Sequence, residues 1–239
     1  MFSVFGEYDY PFRLESGQVR IRIEEDGGFF TYHRSSNGGD VYKIIGGKRG
    51  KIVINPVEPV NLPEEVTKYL EIRFTPMATE PDSVQEVYLK FPIEIGVFLK
   101  GKGEGDLLDI FGLTRAKYSL YGTPDDGIIT RYYESAVFER IPESDPLREG
   151  VLSLTVRNSS RGWVEVSRVV IDCSSLYLYY KDMVSLAAQM EIFSREIADV
   201  WIDDRPLGQE MTPVSLFSRA RKTIIPDKTP FTMEYGTGE

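Results

Sequence analysis

The chain has 239 residues, of which 41% are hydrophobic and 27% charged, and 28 Lys and Arg against 37 Asp and Glu leave a net charge of −9. This composition fits a globular protein with one large or two smaller domains, and its acidic balance argues against nucleic acid as a partner, because a phosphate backbone is gripped by clustered Lys and Arg. The single cysteine, Cys173, cannot form an internal disulfide, and no apolar run approaches the ~18 residues of a membrane-spanning helix.

At the start of the chain, MFSVFGEYDYPF lacks a basic segment followed by an apolar one, so it does not read as a signal peptide and a cytoplasmic location is expected. QVRIRIE places Val19, Ile21 and Ile23 on one face and Arg20, Arg22 and Glu24 on the other, the period-two pattern of a half-buried strand. Glu25-Asp26-Gly27-Gly28 turns this strand into FFTYHR as a hairpin. VYKIIGG and KIVINP read as a second hairpin closed by Gly46 to Gly50. Residues 55–64, NPVEPVNLPE, carry three prolines and must be extended and irregular. KYLEIRF sets Leu70, Ile72 and Phe74 on one face. TPMATEPDS then breaks the pattern and is the expected boundary between an N-terminal β-domain, residues 1–80, and a β-sandwich domain, residues 84–210.

VQEVYLKF and IEIGVFLK are strands separated by Pro92, where a kink or a change of sheet is expected. In the second, Ile93, Ile95, Val97 and Leu99 face one way, and Glu94, Gly96, Phe98 and Lys100 the other. KYSLYG and GIITRYYES are joined by the turn at residues 123–127. VLSLTVRN, the turn NSSRG and WVEVSRVVI form a strand–turn–strand unit of the kind common in β-sandwiches. LYLYY, LAAQMEIF and EIADVWID complete the set. Helix formers compete at Ala187 to Glu191, but Leu186, Ala188, Met190 and Ile192 alternate, which favours a strand. Residues 211–239 read as an extended or mobile tail, free or lying along the body or another subunit. The expected fold is all-β: antiparallel β-sandwich, as one body or two packed β-domains, with an irregular C-terminal tail.

The catalytic vocabulary is sparse. His33 is the only histidine and Cys173 the only cysteine, and no nucleophile-plus-base motif surrounds either. One of each cannot assemble a transition-metal site, and no cofactor is expected. Gly50-Lys51 lacks the glycine and hydroxyl positions of a phosphate loop, and GKGEG at residues 101–105 lacks the dinucleotide spacing, so both read as hairpin loops. Glu104, Asp106 and Asp109 are the candidate ligands for a hard cation such as Ca²⁺, set against the ordinary use of Asp and Gly in turns. Glu134, Glu139, Asp125 and Asp126 are the candidates for paired-carboxylate glycoside hydrolysis. The aromatic residues are the stronger lead. Tyr118, Tyr121, Tyr132 and Tyr133, with Arg131 and Arg115 as polar anchors, form a candidate platform for a protein partner or a sugar, set against the general preference of strands for aromatics.

Four segments, NPVEPV (55–60), YLKFPIEIGVFL (88–99), KYSLYG (117–122) and GIITRYYES (127–135), resemble an archaeal family of uncharacterised proteins defined as a domain of unknown function. Weaker likeness runs through VRNSS and the Trp163 strand to LYLYY, so the resemblance covers most of Met1 to about Asp204. It implies an archaeal, intracellular protein, and it brings no established activity, cofactor or catalytic residue. It also carries an association with genes for mechanosensitive channels, so a membrane protein such as a channel is among the partners it implies. The expected function is a non-catalytic β-sandwich interaction module that binds a protein partner or self-associates through exposed strand edges, without nucleic acid or membrane insertion. The alternative is a carbohydrate- or small-ligand-binding domain, or a carboxylate-dependent hydrolase whose acidic loops bind a divalent cation.

Overall fold

A computed structural model describes residues 4–37, 39–47, 49–63, 66–101, 105–214 and 229–232. Among them the only helical element is a single 3-10 turn, Cys173–Ser175; all other regular structure is β. Sheet I holds β1 (Gly6–Asp9), β6 (Lys51–Val57), β9 (Glu94–Lys100) and β10 (Asp106–Phe111), in that order. Sheet II is the meander of β2 (Phe12–Ser16), β3 (Val19–Asp26), β4 (Phe29–Ser36) and β5 (Gly39–Ile45). Sheet III runs β11 (Lys117–Tyr121), β12 (Ile128–Glu134), β7 (Tyr69–Thr79) and β14 (Val164–Asp172). Sheet IV is built on β8 (Ser83–Pro92), β13 (Glu149–Asn158) and β16 (Val184–Ile192). The far edge of β16 pairs with β15 (Tyr179–Tyr180) and β17 (Ile197–Asp203), which are flanked by β18 (Thr212–Pro213) and β19 (Thr229–Thr232) respectively.

Pairing is antiparallel except between β12 and β7 and between β13 and β16, which run parallel. Parallel neighbours cannot be joined by a tight hairpin, and in both cases the partners are far apart in sequence. The β3–β4 and β11–β12 hairpins form as their turns dictate. The expected hairpin of VYKIIGG with KIVINP does not. β5 closes sheet II against β4, whereas β6 crosses to sheet I and lies between β1 and β9. The reason lies in the side chains. Ile52 to Val57 are all buried, so β6 needs neighbours on both edges and cover on both faces. β5 keeps Tyr42 and Ile44 in solvent and suits an edge.

Two short links move the chain between sheets. At Pro92, β8 in sheet IV gives way to β9 in sheet I, as expected of a proline between strands. The Asn-Ser turn after β13 takes the chain from sheet IV to β14 in sheet III. Strands from before and after the break near residue 80 share sheets I and III, for β6 pairs with β9, and β7 with β12 and β14. One hydrophobic cluster includes Ile21, Ile54, Ile72 and Leu152, a residue from each sheet. β16 shows tertiary context overriding propensity: Ala187, Ala188 and Met190 lie buried between β13 and β17. Gly150 permits the close approach of β13 to Phe91, whose ring would lie 2.5 Å from an added Cβ. Of the C-terminal segment, β18 and β19 lie along the body; residues 215–228 and 233–239 fall outside the described residues. No helix among the described residues is long and apolar enough to cross a membrane.

Sheet I is tied to its neighbours by two buried ion pairs. From sheet II, Arg34 Nε donates to Asp109 Oδ2 at 2.6 Å, and Tyr32 Oη donates to the same oxygen at 2.8 Å. From sheet III, Arg131 donates to Glu94 Oε1 at 2.6 Å. A buried charge left without its partner is costly, so each pair fixes how its two sheets meet.

Candidate functional site

β7 reads Tyr69-Leu70-Glu71-Ile72-Arg73-Phe74, and alternation sends Leu70, Ile72 and Phe74 into the core while Glu71 and Arg73 take the other face of sheet III. Register then sets the neighbours. Tyr132 and Val170 lie opposite Glu71, Glu134 and Arg168 lie opposite Arg73, and Ser119 lies opposite Thr130. Arg168 reaches this face through an irregularity in the pairing. Val164 and Val166 point inward, the register slips between Val166 and Arg168, and afterwards Val169 and Ile171 point inward. Across that irregularity β14 advances two residues while β7 advances four, from Met77 to Arg73; with uninterrupted alternation Arg168 would keep phase with Val166 and face the core.

These residues build one cluster around Glu71, which is 0% exposed although it belongs to the outer face. Its Oε1 accepts from Arg73 Nε at 2.7 Å and lies 3.6 Å from an Arg168 guanidinium nitrogen. Its Oε2 accepts from Ser119 Oγ at 2.5 Å and Thr130 Oγ1 at 2.9 Å. The Arg73 guanidinium sits 5.2 Å from the Tyr132 ring centre, and that of Arg168 sits 5.8 Å from the Tyr121 ring. Tyr132 in turn donates its hydroxyl to Glu134. Burial works against ionisation of Glu71, but the Ser119, Arg73 and Thr130 hydrogen bonds outweigh it and hold the carboxyl below its ordinary range.

The five residues expected to share a surface divide between the two faces of sheet III. Tyr121 and Tyr132 join the Glu71 cluster. Arg131 is 2% exposed and points the other way, into the ion pair with Glu94. Burial pushes the Glu94 carboxyl up, against the pull of Arg131 and of the Asn61 amide that donates to it at 3.1 Å. Tyr133 also lies on that side and donates to Glu149 at 3.0 Å; burial first, and then Glu149, push its hydroxyl up to about 12. Tyr118 lies opposite Arg131 at the open edge of the sheet and donates to the Leu62 carbonyl at 3.1 Å. Burial raises the Tyr118 and Tyr121 hydroxyls, while the Glu134 hydrogen bond is the main cause of the rise at Tyr132. These phenols therefore stay protonated and act as donors and apolar surface.

The acidic candidates are arranged as follows. Asp109 is buried on Arg34 and Tyr32, Asp106 is exposed at the start of β10, and Glu104 lies outside the described residues. Among the described residues, no group of three or more His, Cys, Asp or Glu side chains stands close enough to hold a metal ion. Sequence reasoning missed Glu71, Arg73 and Arg168. The visible signal for Arg168 was the slip in alternation within VEVSRVVI, where inward valines and isoleucine fall at 164, 166, 169 and 171. Glu71 gave none, since a charged residue between Leu70 and Ile72 looks like any solvent-facing position.

Fold and site together define an all-β protein that displays a preorganised arginine–tyrosine face. The chain belongs to the family described as "Protein of unknown function (DUF432)", whose model matches residues 4–234. That match extends beyond the C-terminal limit of the resemblance seen in the sequence. Neither the comparison with curated proteins nor that with solved structures found a match.

Proposed function

We propose that this protein is a non-catalytic interaction module that presents the outer face of sheet III to a protein partner. The observation that carries the reading is the fully buried Glu71 carboxylate, which fixes two guanidiniums beside two tyrosine rings and leaves Arg73 42% exposed. Arg and Tyr dominate the energetics of protein interfaces because each offers a large rigid contact area with a polar tip. Holding them in place beforehand removes part of the ordering cost of association. The chemistry of the face also favours binding over turnover. Glu71 is held ionised and out of contact with solvent, so it suits neither proton donation nor attack.

The test is capture from cells of the native source with the intact chain and with an Arg73→Ala/Arg168→Ala variant. A stoichiometric protein retained by the first and lost by the second is the expected result; because buried Glu71 loses both cations the variant melts lower, and circular dichroism at the capture temperature verifies that it is folded. Equal recovery by both chains, or a turnover that survives in the monomeric protein without any partner, would overturn the reading.

A further inference from the structure

Sheet II turns one face to the core and the other to solvent, and on the solvent face Arg13, Arg20 and Arg22 gather among Glu15, Glu24 and Asp40. One row crosses all four strands: Arg13 lies opposite Arg22, Arg22 opposite His33, and His33 opposite Tyr42. The next row sets Glu15 opposite Arg20 and Arg20 opposite Ser35. Arg13, Glu15, Arg20, Arg22, His33 and Ser35 line a concavity of about 230 Å³. Like charges placed directly opposite each other on paired strands are destabilising, and here the acidic neighbours compensate only in part. Arg13 lies 3.0 Å from Glu24, but Arg22 is 3.9 Å from that same carboxylate and Arg20 is 4.0 Å from Glu15. Three guanidiniums therefore share two carboxylates around one hollow, in a chain whose net charge is −9.

Guanidinium forks match the oxygens of a tetrahedral anion in bidentate fashion, and the Ser35 hydroxyl and His33 ring add further donors. The hollow has room for a phosphoryl group. Beside it on β5, Tyr42 and Ile44 are 62% and 66% exposed, giving aromatic and aliphatic surface next to the charged floor. We propose that the solvent face of sheet II binds a phosphomonoester, with the phosphoryl oxygens on Arg13, Arg20 and Arg22 and the organic part against Tyr42. Extra negative charge in the hollow relieves the repulsion between the opposed arginines, which is why an anion fits where a neutral ligand does not.

His33 is the only histidine in the chain, so in untagged protein its ring gives one set of NMR signals that report on this hollow. Three titrations separate the sources of the phosphoryl group: inorganic phosphate, a nucleoside monophosphate, and vesicles containing phosphatidate. Saturable movement of the His33 signals with the nucleotide supports a soluble ester, and broadening only with the phosphatidate vesicles supports a lipid headgroup. Arg13→Ala/Arg22→Ala is expected to weaken either response at least tenfold, and Tyr42→Ala to erase the preference for the ester over inorganic phosphate. These side chains are exposed, so both variants keep the fold, which an unchanged melting temperature verifies. No movement of the His33 signals with any of the three, or an unchanged affinity in the double arginine variant, overturns the assignment.

Discussion

On the inner face of sheet III, Arg131 meets one carboxylate, Glu94, and both are all but removed from water. On the outer face, a few ångströms of backbone away, Glu71 meets Arg73, Arg168, Ser119 and Thr130. Both carboxylates are buried, yet their pKa values move in opposite directions, Glu94 up and Glu71 down. Burial pushes both upward, so the difference lies in how many donors each receives. The inner pair joins two sheets. The outer cluster leaves Arg73 42% exposed and its neighbouring tyrosines within reach of another molecule. The same pairing of residue types thus serves cohesion where both partners are enclosed and leaves a guanidinium half in solvent where one is not.

The largest effect should come from breaking the inner pair. Arg131→Met leaves Glu94 in the interior without its cation, and urea unfolding should show a loss of about 3–5 kcal/mol. Adding Glu94→Leu should recover most of that loss; a double variant as unstable as the single one would mean that packing, not charge, fixes this site. Glu71→Ala should cost less, about 1–3 kcal/mol, because two hydroxyls lose their acceptor while the half-exposed Arg73 can turn to water. A penalty equal to that of Arg131→Met would erase the distinction between the faces.

The pH dependence of stability separates the two carboxylates by sign. Glu71 titrates below its ordinary 4.5 in the folded state, so its stabilisation is complete above that value and is lost as pH falls through the depressed pKa. Glu94 titrates above 4.5, so its contribution is present below that value and is lost as pH rises through the raised pKa. Glu71→Gln should therefore flatten the acid limb of the stability profile and Glu94→Gln should steepen it, as thermal melts between pH 3 and 6 would show. The smallest effect on stability should be that of Arg73→Ala, about 1 kcal/mol or less, because an ion pair with a half-exposed partner is weakened by solvent. Its effect on partner binding, measured by calorimetry, should nonetheless approach the ~2 kcal/mol of an interface hot spot.

Much of the strand content was legible, because period-two alternation is a local property and the turns carry Gly, Pro, Asn and Asp. The break at Pro92 announced a kink or a change of sheet, and the second is what occurs. The partners of each strand were not legible. KIVINP looks like the second arm of a hairpin until the burial of both its faces is known, and only the position of β9 supplies that. GIITRYYES is ambiguous for a related reason. Ile129, Arg131 and Tyr133 alternate with Ile128, Thr130 and Tyr132, and neither set is distinctly apolar, so nothing local says that Arg131 turns inward. Arg168 was hidden by the irregularity in the β7–β14 pairing, where the inward positions of β14 slip from Val164 and Val166 to Val169 and Ile171. The outer cluster draws one residue or more from each of four strands, and no spacing along the chain could have assembled it.

Cys173 gives this architecture a built-in clock. It is the only thiol in the chain, its amide donates to the Lys68 carbonyl at 2.8 Å, and enclosure, reinforced by nearby Glu58 and Asp172, keeps its pKa well above the usual value. Thiolate is the reactive form, so the folded interior silences it and each labelling event marks an excursion in which the core has parted. Its labelling rate therefore times the opening of the core beside the end of β14 in the native protein, with no cysteine to introduce or remove.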